Sequence, residues 1–253
     1  MAIDKHFLDA VDARLPMRLN DMALPASLTI LVLAPHPDDF DAIGVSMRFL
    51  QQQGHSIHVA VLTTGASGVE DGWNGANDAV SKARFREAEQ QKSCEFFGLP
   101  EGRLSFLHLW EQPEDVPSCE RDNEHLRQHI LSTGPDCVFL PHGNDSNRTH
   151  RRTFDTFHSI AIQENLSVLA FLNLDAKTVS MRSDIYMNFG ESEAAWKAEL
   201  LRMHLSQHER NLKTRGFGFD ERVLRVNREA AIKGGVKEGY AEVFELKKYG
   251  RLI

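Results

Sequence analysis

A chain of 253 residues with 42% hydrophobic and 26% charged content has the make-up of a soluble globular protein, long enough for one large domain or two small ones. Its formal charge of −7, with arginines scattered, lacks the basic footprint that a phosphate backbone requires, and no apolar run approaches the ~20 residues of a membrane span. Met1 to His6 shows no secretory pattern, and Cys94, Cys119 and Cys137 form no CxxC pair; the expectation is a cytoplasmic protein with reduced thiols, partnered by neither nucleic acid nor membrane.

Residues 1–27, polar and broken by Pro16 and Pro25, read as a short helical or irregular lead-in. Leu28 to Ala34 is a continuous apolar, β-branched run and predicts a strand buried on both faces. The run ends in Pro35-His36-Pro37-Asp38-Asp39, and a helix over about 41–53 follows, with Gly54 as its stop. Ile57 to Leu62 is a second buried strand, closed by the small-residue loop Thr63 to Gly68. A charged helix over about 79–97 and a strand from Leu104 to Leu109 come next, then a loop from Glu111 to Asp122 and a helix over about 123–132.

Cys137 to Leu140 predicts the fourth strand, ending in the polar loop Pro141 to His150; a helix carrying Phe154, Phe157, Ile160 and Ala161 leads to a fifth strand, Val168 to Leu172. Strand and helix alternate throughout this region, which implies right-handed crossovers and a mostly parallel sheet between helical layers, a Rossmann-like three-layer α/β fold. From about 175 the alternation lapses. Ser183 to Phe189 reads as a strand, Glu193 to Leu205 as a helix and Tyr240 to Leu246 as a late strand. No Gly-, Ser- or Pro-rich linker and no internal repeat divides the chain, so residues 1–253 are expected to form a single domain with a decorated C-terminal third.

The chemistry concentrates at strand ends, where open α/β sheets bind ligands. A hydrolytic metal site needs three protein ligands of His and carboxylate type and one open position. His36 and Asp39 are spaced to share one face of a tight strand-to-helix turn, and His150, after the fourth strand, is the natural third ligand from the same sheet edge. Asp38 stays close enough to act as general base toward water, whose pKa a bound cation lowers from about 15.7 towards ~7. Two imidazoles and one carboxylate suit Zn2+, but Fe2+ or another divalent ion equally. The plain alternative is that Asp38 or Asp39 merely caps the following helix and that His150 is a surface histidine.

These residues also carry a family resemblance. Ala34-Pro35-His36-Pro37-Asp38-Asp39 resembles the opening signature, A-H-P-D-D-E, of the PIG-L/LmbE-like deacetylases. Thr64 to Gly68 is similar to the family's Thr-x-Gly loop, and Arg84-Phe85-Arg86-Glu87 to its Arg-x-x-Glu helix. Asp145 to His150 resembles its second metal loop, Lys197 with His204-Leu205-Ser206-Gln207 its late Lys…His-x-Ser-Gln element, and Tyr240 to Phe244 its closing strand. The resemblance implies metal-dependent hydrolysis of an N-acyl group, typically acetyl on an amino sugar such as N-acetylglucosamine. It implies His36, Asp39 and His150 as ligands, Asp38 as base and a small N-acylated molecule as substrate.

The departures are local. Phe40 replaces the acid after the Asp pair, although Asp41 follows. The usual His-x-Asp-His is Asn147-Arg148-Thr149-His150 here. Asn147 donates a neutral hydrogen bond to the oxyanion where the family has a histidine, and losing that charge costs on the order of 10²–10³ in rate without compensation. Asp145 is retained, either to orient His36 or His150 or to contact substrate; Arg84 and Arg86 are candidates for holding a sugar hydroxyl or an anionic group, the plain alternative being a solvated helix face. Trp73 and Trp110 are candidate sugar platforms. The competing readings are a relative that binds an acylated ligand at a retained metal site without hydrolysing it, and a metal-free nucleotide-binding protein; the homo-oligomeric state is left open.

Overall fold

Strands buried on both faces must send alternate side chains into two separate cores, and this governs the architecture seen in a computed structural model, described for residues 3–111, 116–236 and 239–250. The strands are β1 (Met17–Arg18), β2 (Thr29–Ala34), β3 (Ser56–Val61), β4 (Leu104–Phe106), β5 (Cys137–Pro141), β6 (Leu169–Asn173), β7 (Ile185–Phe189) and β8 (Tyr240–Lys248). They form one sheet in the order β1-β7-β8-β6-β5-β2-β3-β4. All pairings are parallel except those of β8, which runs antiparallel to both β6 and β7.

The helices are α1 (Lys5–Asp12), α2 (Gly44–Gln52), α3 (Ala79–Phe97), α4 (Val116–Thr133), α5 (Arg148–Gln163), α6 (Glu191–Arg202), α7 (Leu205–Arg215) and α8 (Phe219–Lys233). Ile30, Val32 and Ala34 of β2 face one core with Val59, Phe139, Phe171 and Phe244, covered by α2, α3 and α6 through Met47, Phe97 and Leu200. Leu31 and Leu33 face the other, with Val138, Leu140 and Leu172, covered by α4 and α5 through Leu126, Ile130, Phe157 and Ile160. The continuous apolar run of β2 is thus split residue by residue between two layers.

Strand β2 is flanked by β3 on one side and β5 on the other, so the chain leaves it in both directions. The crevice beyond its carboxyl end is a topological switch point, where such sheets bind ligands.

Several predicted bounds shift. Helix α4 begins at Val116, so part of the stretch expected as loop between Glu111 and Asp122 is helical; residues 112–115 of that stretch lie outside the described residues. The strand expected to reach Leu109 stops at Phe106, because His108 and Trp110 take left-handed backbone angles (φ 51° and 61°) that end sheet pairing. The helix expected over 193–205 is two helices broken at His204, and α8 was not anticipated.

Candidate metal centre

The turn after β2 is built around an uncommon backbone. Asp38 has φ 111°, a strained conformation for a residue with a Cβ, costing about 1–3 kcal/mol unless its surroundings impose it. They do so from several sides. The Asp38 N–H donates to Gln90 Oε1 (2.9 Å), and its carbonyl accepts from Asp41 and Ala42 (3.1 and 3.2 Å). Its Oδ2 accepts from Arg86 Nη2 (2.6 Å), and the same guanidinium holds the Pro37 carbonyl. Gly65, after β3, packs against this turn at φ +63°; a Cβ there would lie 3.0 Å from the Pro37 ring and 3.3 Å from Arg86 Nε.

The strain brings ligating atoms together. The His36 N–H donates to Asp39 Oδ2 (2.8 Å), which also lies 3.1 Å from His36 Nδ1. The other Asp39 oxygen is 3.5 Å from Nε2 of His150, which sits in the first turn of α5 beyond β5. The two imidazoles stand 5.4 Å apart, and the ligating atoms of His36, Asp39 and His150 all fall within 4.8 Å of one another. His150 Nδ1 faces Asp145 Oδ2 at 3.2 Å, which orients the ring and leaves Nε2 for a cation. The donor set fits a divalent metal: two imidazoles and a carboxylate from two loops, with a second carboxylate fixing one ring.

The electrostatics agree with that fit. Burial alone would depress the His150 pKa, but Asp39, Asp145 and Asp175 outweigh it and push it up to about 10. Burial raises Asp39, yet His150 and His36 carry it well below the usual carboxylate range. Asp145, opposed by its own burial, is likewise lowered by His150 and the Asn147 N–H. Three carboxylates around one imidazole make a negative site that calls for a cation.

A cavity of about 260 Å³ opens over these groups, lined among others by His36, Asp38, Asp39, Asn147, His150 and Asp175. A second of about 360 Å³ shares His36, Gly65 and Ser67 and is walled by Thr64, Lys82, Trp110 and Glu111. The Asn147 Oδ1 accepts the Thr149 N–H (2.9 Å) as the cap of α5, so its Nδ2 is the end left for a ligand. Asp145 is 3% exposed and spends its oxygens on His150 and the Asn147 N–H, so it supports the imidazole instead of facing substrate. Arg84 is exposed on α3 and lines neither cavity; Arg86, two residues on, is buried beneath Asp38. Trp73 donates to Glu209 and lines neither cavity, whereas Trp110 lines the second, with Arg152 over its ring.

Beneath the turn lies a polar layer. Phe40 turns into the core against Phe97, and Asp41 is fully buried, bound by Gln90 (3.0 Å), Ser93 and His204 (2.8 Å), so it does not join the ligand set. Glu89 accepts from the Ser206 N–H and Oγ (2.6 and 2.7 Å) and reaches Arg86 (3.4 Å), which makes Arg86-x-x-Glu89 the buried Arg-x-x-Glu pair; Glu87 instead faces His108 on the surface. Lys197, buried in α6, donates to Glu242 of β8 (2.6 Å), to Asn227 and to the Ala42 carbonyl. The late Lys…His-x-Ser-Gln element is therefore scaffold for the turn.

Sequence reasoning missed Asp175, which lies just past β6 at the same sheet edge, 3.9 Å from His150 Nδ1, with its pKa raised by burial. Its place after a buried strand was the available signal. Burial pushes the thiols of Cys94 and Cys137 up, which leaves both unreactive.

Comparison with known proteins agrees with this arrangement. The model of the PIG-L family, GlcNAc-PI de-N-acetylase, matches residues 31–161. Among curated proteins none matches. The fold resembles N,N'-diacetylchitobiose deacetylase from Pyrococcus horikoshii (TM-score 0.72, 19% identity, 96% of this chain and 91% of that one). It also resembles GalB, the 4-carboxy-2-hydroxymuconate hydratase of Pseudomonas putida KT2440 (0.65, 17%, 87% and 95%), and teicoplanin deacetylase Orf2 in a zinc-inhibited form (0.63, 14%, 87% and 98%). At such identities the likeness is one of fold. The matched span, over half the chain, takes in both ligand-bearing loops and the helix that clamps the first, and this protein belongs to the PIG-L family.

Proposed function

We propose that this protein is a divalent-metal-dependent hydrolase that removes an N-acyl group, acetyl first among candidates, from an amino sugar or a related small amide. The observation that carries the reading is the meeting of His36, Asp39 and His150 from two strand ends, with Asp38 lining the same cavity. The activity for which the family is named and the deacetylases among the structural neighbours support it. A divalent ion held by these three residues would supply Lewis acidity toward the acyl oxygen and lower the pKa of water.

The rest falls to side chains of this chain. Arg86 occupies Oδ2 of Asp38, and Oδ1 has no hydrogen-bond partner among the described residues. That oxygen takes a proton from the attacking water and returns it to the amine nitrogen as the C–N bond breaks, which leaves a neutral amine and acetic acid; the acid's proton then passes to the amine in water, giving acetate and an ammonium ion. Asn147 Nδ2 donates to the developing oxyanion, a neutral substitute for a cationic donor. Zinc is the first candidate ion, with iron(II) equally compatible with the donors.

The test measures amine release from a panel of N-acetylated sugars, with metal content determined on the same sample. His36→Ala and Asp39→Ala should lose the metal, while Asp38→Asn should keep it and lose turnover. A wild-type protein that binds no divalent ion sinks the scheme. A second reading, an acyl-ligand binder that does not hydrolyse, draws on Asn147 and Thr149; metal-loaded protein inert across the whole panel would favour it.

A further inference from the structure

Cations that face carboxylates in this acidic protein form ion pairs with them. Arg127 pairs with Glu124 and Glu164, Arg182 with Asp184 and Glu245, Arg202 with Asp220, and Lys213 with Glu70. Lys177 and Arg222 are set apart by where they lie. Among the described residues neither side chain makes an ion pair or a hydrogen bond, yet both are half-buried and line the cavity that holds His36, Asp39 and His150. Arg210, on the same wall, donates to the Gly68 carbonyl (3.0 Å) and has no carboxylate partner.

The three cations come from separate parts of the chain: the segment after β6, α7 and α8. Of the cavity's carboxylates, Asp38 is engaged with Arg86, Asp39 lies between the two imidazoles, and Asp175 stands 3.9 Å from His150 Nδ1. Arg222 and Lys177 act on Asp175 and Asp145 only across space, without contact. Like charges gathered at one partly enclosed cavity repel one another and have given up part of their hydration, a cost that an anionic ligand offsets. Guanidinium groups suit this task because they bind carboxylate and phosphate oxygens in a two-pronged way.

We infer that the substrate carries an anionic group apart from the amide that is cleaved, a carboxylate or a phosphate monoester, and that Lys177, Arg210 and Arg222 bind it. The inference rests on the deacetylase reading for the reacting end, but binding alone tests it. Zinc-loaded protein is titrated calorimetrically with glucosamine, glucosamine 6-phosphate and muramic acid, amine products that bind without reacting. At least one anionic sugar should bind about tenfold or more tightly than glucosamine, and the better of the two identifies phosphate or carboxylate as the group recognised.

The double variant K177Q/R222Q should shrink that preference to within about twofold, whereas the charge-conserving K177R/R222K should retain most of it. Equal or undetectable affinity of the wild type for all three sugars overturns the inference. So does a preference that survives in K177Q/R222Q, since Lys177 and Arg222 would then not hold the anion. Loss of amine release with the sugar preference intact would refute the hydrolytic reading and leave this one standing.

Discussion

Replacing Arg86 by methionine removes the side chain that holds both the Asp38 carboxylate and the Pro37 carbonyl of the strained turn. Arg86 is 2% exposed, and its guanidinium serves Asp38, the Pro37 carbonyl and Glu89. The three losses differ in weight. Glu89 keeps the Ser206 N–H and hydroxyl, so its charge stays solvated by hydrogen bonds. Asp38 has no other side-chain donor, and breaking a buried pair from one side costs about 3–5 kcal/mol. Against a total of about 5–15 kcal/mol the fold survives, weakened. Freed of its clamp, Asp38 relaxes from φ 111° and loses its aim, so hydrolysis should fall by a factor of about 10²–10⁴, the usual contribution of a positioned base. Urea unfolding of metal-free wild type and R86M measures the first effect, and single-turnover amine release from metal-loaded protein measures the second. A stability loss under about 1 kcal/mol together with unimpaired turnover would refute the clamp.

Asn147→Ser should keep the helix cap, since serine caps about as well as asparagine, and change stability by no more than about 0.5 kcal/mol. It shortens the donor, so turnover should drop by about 10²–10³ with KM little changed; normal kcat would reduce Asn147 to a cap. Lys197→Met strands Glu242 beside Ser46 and should cost about 3–5 kcal/mol in urea unfolding, and adding Glu242→Leu should recover most of it; additive losses would mean the pair is not coupled. For pH, His55, His58, His129 and His158 are all held below 6.5, chiefly by burial. The unfolded chain therefore binds more protons just below pH 6.5. Their contribution is complete above that value and lost as the pH falls. His150 runs the other way in metal-free protein: its contribution is full below 6.5 and disappears as the pH rises through about 10. Metal-free protein should thus be most stable near pH 6.5, and urea midpoints that climb steadily to pH 9 would contradict both signs.

The central strands were legible because burial on both faces writes itself as unbroken apolar runs, and β2 to β6 lie within a few residues of their expected positions. The ligand triad was legible because it follows two of those runs. Helix α3 shows where pattern reading stops. Its polar residues look like a solvated face, yet Arg86, Glu89, Gln90 and Ser93 are buried because they form the floor under the turn. That inversion of polarity leaves Arg84 and Arg86 alike in the sequence, although only Arg86 holds the turn. The cations of the cavity wall were hidden for another reason: Lys177, Arg210 and Arg222 meet only once α7 and α8 fold back over the sheet edge, and no local spacing encodes that meeting.

Strand β8 lies between β6 and β7 although it is made after both. Until a growing polypeptide has produced residues 240–248, β6 presents one open edge and β7 another, and neither can finish the sheet. Glu242, the buried counter-ion of Lys197, arrives on that same strand, so the lysine of α6 must wait uncompensated until then. Synthesis stalled before residue 240 would leave a sticky, half-zippered species.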